Sequence, residues 1–152
     1  FVIPAQAGIH HLISKFNPSV MDPRLRGGDE VVRFERGVMT PPYIFQRGET
    51  ISLALDAVTG DPLSVTAIGA AMKAVPPGRT GVADSAPVAA TFSISPRAAQ
   101  GDIPPGWTLT INAAISAALS PGSYLADARL EVAGGVIVTE PVPIRIAPSV
   151  TP

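Results

Sequence analysis

Hydrolytic and group-transfer chemistry needs an activated nucleophile with a base beside it, so histidine, cysteine and the acids are the residues to place first. Cysteine is absent, and both histidines, His10 and His11, precede Met39. A Ser–His–Asp or Cys–His arrangement is therefore excluded downstream of that methionine. The acids pair poorly. Asp127 and Glu131 stand four apart in an alternating segment, which puts them on one side of a strand about 13 Å apart, beyond the roughly 5 to 9.5 Å of a glycosidase pair. They read as a solvated face. Asp56-Ala57-Val58-Thr59-Gly60-Asp61 brings two carboxylates near one turn, but its spacing matches no EF-hand and supplies too few oxygens for calcium. Lys73, the only lysine after Met39, and Arg47, Arg79, Arg97, Arg129 and Arg145 are scattered. The glycines form neither a GxGxxG nor a P-loop. Trp107 has a face that could stack on a sugar or base, yet a single Trp in an alternating strand belongs to a core. No catalytic, cofactor-binding or metal-ligating residue is assigned, and the expected product is not an enzyme.

What positions these residues is bounded by the bulk numbers. A chain of 152 residues accommodates one domain plus a tail. Hydrophobic residues make up 46%, aromatic ones only 5%, and 17 prolines with 14 glycines punctuate the chain, which favours short strands and turns over long helices. Net charge is −1 and no basic run occurs, so neither nucleic acid nor an anionic membrane is an expected partner. No apolar stretch approaches the roughly 20 residues of a membrane span. The opening Phe-Val-Ile-Pro lacks the basic region of a secretory signal, so cytoplasmic synthesis without export is the expectation.

Period-two alternation dominates from residue 50 onward. Ile51, Leu53 and Leu55 share one face, and Thr59-Gly60-Asp61-Pro62 supplies a turn. Residues 63–75 form a strand of small residues, and the proline-interrupted stretch Pro76 to Pro87 is a surface loop and a candidate contact surface. Residues 88–95 place Phe92 and Ile94 together, Pro104-Pro105-Gly106 makes a turn, and Trp107, Leu109 and Ile111 align on the next strand. Asn112 caps the one short helical turn, near 113–119, with Ile115 and Leu119 on a common face. Ser120-Pro121-Gly122 stops it. Tyr124 to Val132 is a strand, Gly134-Gly135 predicts a two-residue hairpin with positive φ at both positions, and residues 136–146 return, with Pro141 and Pro143 predicting an edge or bulge. The sum is an all-β, immunoglobulin-like antiparallel sandwich of about seven strands over residues 39–152, with Tyr124 placed to bond back to the preceding corner.

Residues 1–38 read differently. Phe1 to His10 and Met21 to Glu30 are related through possible codons: CAT for His10 inverts to ATG for Met21, GGG for Gly8 to CCC for Pro23, and TTC for Phe1 to GAA for Glu30. Only Ile3 against Gly28 fails, by one base. The segment resembles the translated interspersed palindromic repeats of bacterial genomes, and that resemblance implies an irregular tail with translation starting at Met39. A basic arm with Arg24 and Arg26 binding phosphate is the alternative.

From Arg47 to Pro148 the order of elements resembles small immunoglobulin-like domains of phage tails, baseplates and heads. The resemblance rests on Arg47-Gly48-Glu49-Thr50 before the first strand and on Ala117-Ala118-Leu119-Ser120-Pro121-Gly122-Ser123-Tyr124 at the corner. It rests also on Arg129-Leu130-Glu131-Val132 running into the Gly-Gly hairpin and on the closing Pro143-Ile144-Arg145-Ile146. Where that family has a polar Asp-Gly-Thr hairpin, this chain has Ala133-Gly134-Gly135-Val136. The resemblance implies a non-enzymatic structural component of a phage or prophage particle, partnered by itself or by other virion proteins. The alternative is a carbohydrate- or cell-surface-binding module, which would expose Trp107 and Tyr124 on one face.

Overall fold

A computed structural model of the protein describes residues 42–57 and 61–151, together with the backbone of three short strands: β1 (Phe16–Pro18), β2 (Val32–Phe34) and β3 (Gly37–Met39). The chain then forms β4 (Tyr43–Gln46), β5 (Ile51–Asp56), β6 (Val65–Ala74), β7 (Ala90–Thr91), β8 (Ser93–Arg97) and β9 (Gly106–Ile111). A single helix α1 (Ala113–Ala117) precedes β10 (Gly122–Val132), β11 (Gly135–Val138) and β12 (Val142–Ala147).

Two sheets run in the orders β1-β5-β9-β8 and β4-β12-β10-β6-β7, with β11 beside the far end of β10, while β2 pairs with β3. The alternation read from residue 50 onward decides which side of each strand is inside. Ile51, Leu53, Leu55, Leu109 and Ile111 of the first sheet meet Met72, Leu130, Ile144 and Ile146 of the second in one buried core. The result is an all-β sandwich of two sheets, between which the chain crosses from β4 to β5, β5 to β6, β7 to β8 and β9 to β10. Pairing is antiparallel except between β4 and β12, which run parallel with Tyr43 opposite Ile144.

Nine strands lie among the described residues from Tyr43 to Ala147 rather than about seven, because two expected strands are each divided and β4 precedes the first alternating strand. The chain of residues 88–95 leaves one sheet after Thr91 and enters the other at Ser93, carrying the buried Phe92 ring across the core. The return strand breaks at Thr139: its N–H donates to the Ala128 carbonyl and its Oγ1 accepts the Ala128 N–H. A side-chain oxygen thus replaces a ladder acceptor just before Pro141, which has no N–H to give. The proline marks a break and not an edge, since β12 lies between β10 and β4.

Two turn expectations are corrected. Val132 pairs with Gly135, so the hairpin loop is Ala133-Gly134, and Gly134 takes positive φ (91°) while Ala133 does not. The reversal before β9 sits at the Gln100–Ile103 bridge with Gly101 at φ 59°, and Gly106 already belongs to the strand. Glycine is required there for closeness: a Cβ would lie 2.1 Å from the Leu55 carbonyl oxygen. In α1 the Asn112 side chain accepts the Ile115 N–H as expected, but the buried helix residue is Ser116, and Ile115 is 42% exposed. The first turn falls partly on 58–60, outside the described residues; Asp61 caps a 3-10 turn over Pro62–Ser64 by accepting the Leu63 N–H. The reading of 1–38 as a tail lies mostly outside the described residues, within which β1 runs antiparallel to β5 with Phe16 opposite Leu55.

Candidate interaction surface

Two of the motifs that carried the family resemblance, residues 47–50 and 117–124, meet at one end of the sandwich. Gly48 adopts φ 86°, which turns the chain so that its N–H reaches Ser116 Oγ at 3.2 Å and Arg47 Nε reaches the Ala117 carbonyl at 2.7 Å. The Arg47 N–H donates to the Ala147 carbonyl at 2.8 Å, and Glu49 Oε2 accepts the Gln46 N–H at 2.7 Å. The Arg47–Thr50 turn therefore ties the first strands to α1 and to the last strand. Tyr124 is 4% exposed and its hydroxyl donates to the Ser120 carbonyl at 2.6 Å, closing the corner. Loss of solvent raises its pKa above the ordinary 10.0, and the bond to Ser120 opposes that in part. A shallow depression of about 590 Å³ beside Arg47, Ala117, Pro121 and Pro148 has Arg47 as its one ionisable lining group.

The acids singled out in the sequence do not converge. Asp56 is buried and forms an ion pair with Arg97, whose Nη2 also donates to the Pro104 carbonyl at 3.1 Å. This pair spans 41 positions, and no local spacing announces it. Asp61 is spent on its cap, while Asp127 and Glu131 are exposed on the outward face of β10. Among the described residues no three His, Cys, Asp or Glu side chains cluster as a metal site would require. Trp107 and Tyr124 are 7% and 4% exposed, so these two rings do not form a stacking surface.

What remains open is backbone and sheet face. Along β6 the Ala70 and Met72 carbonyls accept N–H groups of Phe92 and Ala89 on the side away from β10, and strand alternation turns the backbone groups of Ile68 the same way, while Thr66 is the extra residue of a bulge and donates its Oγ1 hydrogen to the Glu131 carbonyl. Among the described residues β7 and the residues beside it cover this edge only at residues 70–72. Val65 to Met72 contains no charge and no proline, two of the devices by which sheet edges are ordinarily blunted, and its one irregularity is the bulge at Thr66. The Pro76 to Pro87 loop is exposed apart from the half-buried Val82 and Ala86. Lys73 Nζ holds it by donating to the Asp84 carbonyl at 2.7 Å, over a cavity of about 270 Å³ bounded by Val82, Leu125, Asp127 and Pro141. Compared with protein-family models and with curated proteins, the chain matches none.

Proposed function

We propose that this domain is a non-enzymatic assembly component of a phage or prophage particle, joined to neighbouring virion proteins or to copies of itself. The observation that carries the reading is the open edge of β6: among the described residues no strand pairs with this side of residues 65–69, where Ile68 turns its N–H and C=O outward with no charge or proline to repel a further strand. The ionisable groups support it, since Asp56, Arg97, Asp61, Arg47 and Tyr124 are all engaged in holding turns. The tail, baseplate and head domains that the sequence resembles give the reading its setting.

The test is mass spectrometry of particles purified by density gradient from a culture that encodes the chain. Peptides from residues 42–151 should co-purify with the particle at stoichiometric abundance. Their confinement to the soluble cell fraction, with particles free of them, would overturn the proposal.

A further inference from the structure

Outward-facing residues of β11, β10 and β6 line up in two rows across the sheet. Val136 lies beside Glu131 and Glu131 beside Ala67; one row on, Val138 lies beside Arg129 and Arg129 beside Gly69. All six are exposed, the two valines by 47% and 53%. The Pro76 to Pro87 loop covers the other end of this face, near Lys73 and Leu125, and leaves these rows open.

Two features of the rows find no reason among the described residues. Gly69 interrupts a ten-residue strand at ordinary φ, and a Cβ there would meet nothing within 4 Å. Glycine in mid-strand is destabilising relative to alanine and often marks the close approach of another backbone. Arg129 and Glu131 are two positions apart, about 7 Å along the strand, and among the described residues neither makes an ion pair.

Both features are accounted for by a second copy of the same face. A two-fold axis lying between the sheets and across the strands, passing midway between the rows, exchanges one row for the other. It sets Arg129 against Glu131 of the partner copy twice over, Val136 against the partner copy's Val138, and Ala67 against its Gly69. The patch is complementary to itself in charge, in apolar surface and in the small residues that let the layers approach. We infer that this face, centred on Arg129 and Glu131, is a self-association surface. The patch is only three strands wide, which places the contact among weak, transient ones. Weak contacts are suited to repeated use in a larger assembly, where linkage multiplies them. The inference rests on the assembly reading only in naming the chain as its own partner.

Sedimentation velocity of the full chain up to about 1 mM, with folding checked by circular dichroism, tests it. The chain should dimerise at high concentration. R129E and E131R should each weaken dimerisation at least tenfold by setting like charges together twice, V138K should do the same, and the double reversal R129E/E131R should restore it to within about threefold. A chain monomeric throughout, or dimers indifferent to all four variants, or single reversals not rescued by the double one, would overturn the inference. Dimers indifferent to these changes but lost in a variant of the β6 edge, such as T66K, would overturn it while leaving the assembly reading in place.

Discussion

Tyr124 and Gly106 show how single residues hold this sandwich together. The Tyr124 hydroxyl satisfies a corner carbonyl, and Tyr124→Phe should cost about 1 kcal/mol in denaturant unfolding, the ordinary worth of one such bond. Its pKa is raised in the folded state, so the fold favours the protonated ring. That contribution is complete below about pH 10 and is lost as the pH climbs through the raised value. The melting temperature should therefore be level to about pH 9 and fall above pH 10, and Tyr124→Phe should remove Tyr124's share of the fall. A pH profile unchanged by the substitution would contradict this. Gly106→Ala drives a methyl into the Leu55 carbonyl, a backbone atom that cannot rotate away. A loss of roughly 1–3 kcal/mol is expected, read as a lower denaturation midpoint.

At the scale of elements, the sequence carries the pattern of what is buried far better than the way strands are cut. Ile51, Leu53, Leu55, Leu109 and Ile111 are core because period two puts them on one face, and the Asn112 cap and Tyr124 corner were legible because each bond spans only a few positions. The divided strands were not, since they depend on where the chain exchanges one sheet for the other at Phe92 and on a Thr139 side chain substituting for backbone. Nor was the Gly134 turn, where strand register, and not glycine content, decides which residue takes positive φ. The Arg97–Asp56 pair is the longest-range of these omissions and the one with the clearest energetic consequence. It fastens the end of β8 to the end of β5, and Arg97 also holds the Pro104 carbonyl of the approach to β9. Arg97→Met should lower stability by about 1–3 kcal/mol, because a mostly buried carboxylate loses a charged partner. A denaturation midpoint equal to wild type would show the pair to be idle.

For the molecule as a whole, polar side chains stabilise turns while the β6 edge and the face around Arg129 and Glu131 are proposed to meet other chains. A carbohydrate-binding role gains no support from Trp107 and Tyr124, which the core encloses. The central claim is that the β6 edge is completed by a neighbour, and amide hydrogen exchange measures that directly. In the dilute free chain the Ile68 amide should exchange rapidly while Ala126, Ala128 and Leu130 of β10, flanked on both sides, exchange slowly. In the purified particle the Ile68 amide should slow at least tenfold. Exchange at this position that is equally fast in the particle, or already as slow as β10 in the free chain, would contradict the proposal.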